Sequence, residues 1–374
     1  MRRTGGIPGF ANAEGTGAYR GRQVSRADSK HFRIFEDLTL SSLGIGTYLG
    51  GENALTDRLY RDAVVRAVEL GANVIDTAIN YRHQRSERAI GEALAALVGS
   101  GRLKREEIVV ATKGGFIPFD GSVPADVKAY FAETYLRSGL IRPNEIAAGC
   151  HCMTPRYLED QIERSRHNLG LETLDVYYLH NPETQLPEVG RAAFLGRMRE
   201  AFAFLESAVD SGRIRRYGTA TWSGYRQSRD ASDYLSLAEL EALAREVAGE
   251  RHHFRIIQLP YNLAMTEAFT HTNQVVNGQS VSTLEAARRL GIYVCASVPL
   301  YQGQLTQKLP AVTNEFLPGL ETNAQRALQF VRSTPGVGTA LVGMKQAFHV
   351  EENLIIAEFP PVPWSDFRRL FQDA

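Results

Sequence analysis

The stretch "ANVIDTAINYRHQRSERAIGEAL", residues 72–94, reads as the end of a buried strand, a polar turn and the start of a helix. Apolar Val74 and Ile75 run into Asp76, and Tyr81 follows in the turn. Taken alone, Asp76 reads as a cap on the next segment and Tyr81 as a half-buried loop residue. The same unit recurs along the chain, and the recurrence decides the fold. Short apolar, β-branched runs end in polar turns at "LGIGTY" (43–48), "NVIDTA" (73–78), "IVVATK" (108–113), "LDVYYLH" (174–180), "RYGTAT" (216–221), "IIQLPY" (256–261), "IYVCASV" (292–298) and "GTALVG" (338–343). Amphipathic segments lie between them. "RLYRDAVVRAVEL" (58–70) puts Leu59, Ala63, Val64, Ala67 and Leu70 on one face and stops at Gly71. "TPRYLEDQIERSRHNLG" (154–170) starts at Thr154-Pro155 and ends at Gly170, and 236–249, 282–291 and 321–336 repeat the scheme. This alternation over about 300 residues predicts an α/β fold, a (β/α)8 TIM barrel. The rival is an open doubly wound sheet, but "LGIGTYLGG" misses the G-x-G-x-x-G spacing that its phosphate turn needs.

The rest of the chain fits one domain. Residues 1–30, rich in Gly and Arg with few large apolar residues, read as a flexible or surface-draped arm, and 31–374 as the barrel. Long connections, 114–153 after the third strand and 181–200 after the fourth, read as substrate-facing loops. Lys plus Arg and Asp plus Glu both number 42, so no global field points to nucleic acid or to an anionic membrane. A small molecule is the expected partner. No apolar run approaches the roughly 20 residues of a membrane span, and no signal-peptide core follows Arg2 and Arg3. Three cysteines, Cys150, Cys152 and Cys295, argue against a disulfide framework and point to the cytoplasm. "GCHCM" (149–153) brings Cys150, His151 and Cys152 together, but the spacing is not that of a zinc knuckle and no second pair exists, so no metal is expected.

In a barrel, the last residue of a strand faces the mouth. Asp76, Lys113 and His180 end consecutive strands, and Tyr81 lies just beyond Asp76. A phenol is a poor acid at neutral pH, and a nearby ammonium lowers its pKa. Lys113 supplies the ammonium, Asp76 keeps it charged, and His180 hydrogen-bonds a substrate carbonyl. These are the parts for protonating an oxygen while a hydride is delivered from elsewhere.

From about residue 32 to 357 the chain resembles the aldo-keto reductase superfamily, on "GANVIDTAINY", "IVVATK", "LDVYYLH", "IQLPYN", "VPLYQGQL" and "LVGMKQAFHVEEN" in that order. The resemblance implies a catalytic tetrad at Asp76, Tyr81, Lys113 and His180, and a barrel that holds an extended nicotinamide cofactor, NADP(H) before NAD(H). It places Thr47, Asp76, Thr221, Gln258 and Ser297 at the nicotinamide and Pro299, Leu300, Gln302, Gly303 and Leu305 at the pyrophosphate. Gly343, Lys345, His349, Glu352 and Asn353 fall at the adenosine end. Tyr48, Tyr81, Phe116, His180 and Trp222 fall around the substrate. Two departures stand out. "GTATW" replaces the usual Ser-Asn with Ala220 and Thr221, and "ASVPL" puts Ser297 where a ring usually stacks on the nicotinamide, leaving Trp222 or Tyr301 to substitute.

The implied activity is NADP(H)-dependent reduction of aldehydes or ketones, or the reverse, with Tyr81 as general acid. Two alternatives remain at this point. One is a nucleotide-sensing, non-catalytic barrel subunit, against which the intact tetrad argues. The other is a sugar-modifying enzyme that uses transient oxidation by a bound cofactor, which would consume substrate without net cofactor turnover. The substrate, the direction and the oligomeric state are not readable from the sequence.

Overall fold

The computed structural model describes residues 5–371 except 310–312, 314–316 and 318. A hairpin of β1 (Phe32–Phe35) and β2 (Leu38–Ser41) precedes the first barrel strand, β3 (Leu43–Gly46). Then follow β4 (Val74–Asp76), β5 (Val109–Gly114), β6 (Leu174–His180), β7 (Ile214–Ala220) and β8 (Phe254–Pro260). A second hairpin, β9 (Gln274–Val276) and β10 (Gln279–Val281), leads to β11 (Tyr293–Ser297) and β12 (Thr339–Gly343). Strands β3 to β8, β11 and β12 pair in parallel and close into an eight-stranded barrel, β12 returning to β3. Each predicted strand is present, with ends within a few residues. The predicted helices also appear, as Ala54–Glu69, Pro155–Leu169, Leu237–Ala248, Thr283–Arg289 and Asn323–Ser333.

Residue alternation along the strands fills two layers. Val74, Val109, Ala111, Val176, Tyr178, Ile256, Cys295 and Leu341 pack the barrel interior, closed from below by Leu38 and Leu40 of the hairpin. Leu43, Ile45, Ile75, Val110, Leu179, Ile257 and Val294 face outward onto the helices. At Gly218 a Cβ would fall 1.6 Å from the Ile256 carbonyl oxygen, so only glycine lets β7 lie this close to β8, beside a register shift at Tyr217/Gly218. Register brings the strand ends to one rim: Gly46 pairs with Asp76, His180 with Ala220, and Ala220 with Gln258.

Two expectations are corrected. Residues 5–30 are not a loose arm. The helix Ala13–Gln23 packs under the barrel with Tyr19 buried, its hydroxyl donating to the carbonyls of Val68 (2.5 Å) and Ala72 (3.1 Å). Gly15 permits this docking, since a Cβ there would sit 2.3 Å from the Glu106 carbonyl oxygen. Nor do residues 181–200 form a loop. Only Asn181–Gln185 connect β6 to the helix Leu186–Asp210, which bends at Gly190 (φ 73°). Pro187 and Gly190 near its start break the helical pattern in the sequence. The connection after β5 is long as expected, and folds over its own small core of Tyr135, Ile141, Cys152 and Tyr157. Among the described residues no helix is long and apolar enough to cross a membrane.

Candidate active site

At the C-terminal rim the four candidate residues meet. Lys113, fully buried, donates from Nζ to Asp76 Oδ2 at 2.6 Å, to the Thr77 carbonyl at 2.8 Å and to the Tyr81 hydroxyl oxygen at 3.2 Å. All three protons of the ammonium are therefore engaged. Because the Tyr81 oxygen accepts from Lys113, its own hydrogen is free to point into the cleft. Gln258 Nε2 donates to Asp76 Oδ1 at 2.7 Å, so both carboxylate oxygens are held. Thr47 Oγ1 donates to the Asp76 carbonyl at 3.1 Å, and Ser86 Oγ to the Thr47 carbonyl at 2.8 Å. The His180 ring meets Tyr81 edge-on at 5.7 Å and Phe116 at 5.0 Å, while Tyr48 stands edge-on to Tyr81 at 5.1 Å.

The electrostatics differ in one respect from the sequence expectation. Burial pushes the Tyr81 phenol above its ordinary pKa; Lys113 works to lower it and Asp76 to raise it. The ammonium thus moderates a rise, and no net lowering results, because the ring lies in a desolvated pocket. Burial works against charge on Lys113, but Asp76 and Tyr81 hold its pKa above the usual lysine value. Asp76 is pushed up by burial, with Lys113 and Gln258 opposing. His180 lies well below the usual imidazole range, through burial first and then the Lys113 charge. A protonated phenol beside a neutral imidazole is an acid and a hydrogen-bond partner poised on one face of a cavity.

That cavity is a cleft of about 910 Å³ running from the tetrad to the end of β12. Asp76, Tyr81 and His180 line it, with Lys113 behind them. Thr47, Tyr48, Phe116, Thr221, Trp222, Gln258, Ser297, Pro299, Leu300, Gln302 and Gly303 also line it, and so do Gly343, Lys345, His349, Glu352 and Asn353. Leu305 does not, although its neighbour Thr306 in the short helix Gln304–Gln307 does. Of the two rings offered as substitutes at the nicotinamide, Trp222 lines the cleft and Tyr301 does not. Sequence reasoning missed Asn80 and Asn181, which also line it. Their only signal was adjacency to Tyr81 and His180.

His151 of "GCHCM" serves the fold. Its Nε2 donates to the His180 carbonyl at 2.8 Å, and Nδ1 accepts from Gln185 Nε2 at 2.9 Å, so both ring nitrogens are committed. Burial, foremost, lowers its pKa to about 4 and keeps it neutral. Among the described residues no group of three His, Cys, Asp or Glu side chains is placed to hold a metal.

The chain was compared with known proteins. It is 27% identical over 289 residues to the NADH-specific methylglyoxal reductase of Escherichia coli (strain K12), covering 76% of this chain and 70% of that protein. It is 23% identical over 342 residues to the 6-dehydroglucose reductase of Novosphingobium aromaticivorans, covering 88% and 89%. An aldo/keto reductase from Klebsiella pneumoniae, solved with NADP and acetate, shares the fold with a TM-score of 0.61 at 21% identity, over 92% of this chain and 94% of that one. The model of the Aldo/keto reductase family matches residues 42–372. With the barrel, the rim tetrad and a match over nearly the whole chain in agreement, the protein belongs to the Aldo/keto reductase family.

Proposed function

We propose that this oxidoreductase reduces aldehydes or ketones to alcohols with NADPH, or runs the reverse, and that Tyr81 is its general acid. The observation that carries the reading is the Asp76–Lys113–Tyr81 chain of hydrogen bonds ending at the cleft, with His180 facing the same space. When bound, a nicotinamide cofactor supplies the hydride. Tyr81 gives its proton to the carbonyl oxygen, Lys113 stabilises the phenolate left behind, and His180 orients the carbonyl by a hydrogen bond. Tyr48, Phe116 and Trp222 offer ring surfaces to the substrate on the walls of the same cleft. The residues of the cleft suit such a cofactor. Asn353 is buried beside it with an Oδ1 that has no hydrogen-bond partner among the described residues, an acceptor suited to an adenine amine. Three free cysteines support a reducing, cytoplasmic setting. The test is NADPH oxidation against a panel of simple carbonyls. Stoichiometric loss of NADPH and carbonyl supports the reading. Substrate consumption without net cofactor oxidation replaces it with transient oxidation.

The pKa directions fix the pH dependence. His180 is lowered and stays neutral, and Tyr81 is raised and stays protonated, so neither titrates in the neutral range. kcat/KM for carbonyl reduction is therefore expected to be flat between about pH 6 and 8 and to fall only on the alkaline side. An acid limb centred near the ordinary histidine pKa would contradict this.

The choice of NADPH rests on Lys345, which lines the cleft between β12 and the helix Ala347–Leu354 and has no hydrogen bond or ion pair with the described residues. A 2′-phosphate would give it one. Lys345→Ala is expected to lower kcat/KM with NADPH by about tenfold, about 1.4 kcal/mol, and to leave NADH nearly unaffected. Equal loss with both cofactors, or a wild type that uses both alike, would assign the enzyme to NADH, as in the E. coli relative's name.

A further inference from the structure

Directly after Tyr81, the residues Arg82, His83 and Gln84 follow one another at φ of 50°, 53° and 71°. Three consecutive non-glycine residues in the left-handed region are rare, and such strain persists where surrounding contacts over-determine it. Those contacts are specific. The Arg82 side chain is buried; its Nε donates to the Gly51 carbonyl at 3.0 Å and Nη2 to the Asn53 carbonyl at 3.5 Å and to the Asp57 carboxylate. Its guanidinium lies 5.4 Å over the Tyr60 ring, and the Tyr60 hydroxyl donates to the Leu49 carbonyl. His83 pairs with Glu52 at 2.8 Å. Gln84 donates to the Phe119 carbonyl at 2.9 Å and accepts from Asn168 at 3.1 Å.

The partners of Arg82 all lie in one place, the loop and first two helical turns after β3. That loop begins with Tyr48 and Leu49, which line the cleft, and Tyr48 is the ring that abuts Tyr81. The left-handed turn therefore lets adjacent residues serve opposite sides: Tyr81 reaches Lys113 while Arg82 reaches residues 51–57. We propose that Arg82 is a positioning residue, whose guanidinium clamps the loop after β3 to the chain after Tyr81 and so fixes the Tyr81 hydroxyl and the Tyr48–Leu49 wall as one body. Its kinetic consequence rests on Tyr81 being the acid of the proposed reaction; the clamp itself does not.

The test uses the full chain with Arg82→Ala and Arg82→Lys, read by steady-state kinetics on a simple aldehyde, NADPH binding, solvent deuterium isotope effect and amide hydrogen exchange. Asp57 keeps Arg85 as an ion-pair partner in both variants. Misplacing the acid should lower kcat about tenfold to a hundredfold in Arg82→Ala and enlarge the solvent isotope effect, with NADPH affinity within about twofold of wild type. Exchange should rise in residues 48–57 and 79–86 and nowhere else. Arg82→Lys can keep the Asp57 pair but not the fork to Gly51 and Asn53, and should fall between wild type and alanine. If Arg82→Ala does not fold, the lysine variant alone, with the same local exchange and isotope signature, decides. The proposal is overturned by kcat and KM within about twofold of wild type in Arg82→Ala, or by exchange that rises throughout the barrel together with lost NADPH binding. A wild type that reduces no carbonyl would remove the reductase reading, while the exchange pattern would still support or overturn the clamp.

Discussion

Tyr81→Phe lowers kcat for carbonyl reduction by about 10²- to 10⁴-fold, the usual worth of a positioned acid, and leaves NADPH affinity unchanged. The change deletes one hydroxyl from a ring that is otherwise held by Tyr48 and His180, so the pocket keeps its shape. What disappears is the hydroxyl that accepts from Lys113 and carries the proton facing the cleft. The measurement is a pair: turnover on a simple aldehyde, and cofactor titration by fluorescence. A variant turning over within about threefold of wild type would remove Tyr81 from the acid's role.

Lys113→Met has a comparable effect on turnover and a second effect on the fold. Loss of the ammonium removes the opposing charge that moderates the Tyr81 phenol, so its pKa climbs further. In alcohol oxidation, where the phenolate is the base, the rising limb of the pH profile should therefore move to higher pH. Asp76 is meanwhile left buried with Gln258 alone on its carboxylate, and breaking such a pair costs about 3–5 kcal/mol of stability. The sign with pH follows from burial. In the variant the folded Asp76 holds its proton above the unfolded pKa, so the deficit is small at low pH and grows as pH rises through the folded value. The double variant Asp76→Asn, Lys113→Met should regain most of the stability and none of the activity. Recovery of activity in the double variant would mean that Lys113 matters only for folding.

The barrel and its rim were legible because the information is local. Asp76, Lys113 and His180 each close a run of apolar residues, and strand ends in a barrel converge without any further instruction. The far end of the cleft, at Glu352 and Asn353, was reached only by resemblance, since nothing about either residue in isolation suggests a binding site. Other features were hidden because they depend on partners remote in sequence. The place of His151 is one: its ring lies between His180 and Gln185, 29 and 34 residues away. Glu87, in the first turn of its helix, is another: it is buried and accepts from Thr112 at 2.6 Å and Asn168 at 2.9 Å. The helix Ala13–Gln23 gave no amphipathic signal, because it docks through Gly15, Thr16 and Tyr19, a face of small and polar residues around a single ring.

That N-terminal helix also sets an order of assembly. Tyr19 finds its carbonyl partners 49 and 53 residues downstream, Arg22 its carboxylate on Glu107 85 residues on, and the Ala11 amide its acceptor on Asp175 164 residues on. The segment thus leaves the ribosome well before the partners it docks on, waiting roughly 10–30 s at ordinary elongation rates for β6 to appear. The floor of this barrel is laid after its first four walls, and anything fused ahead of residue 5 hangs on that waiting segment throughout synthesis.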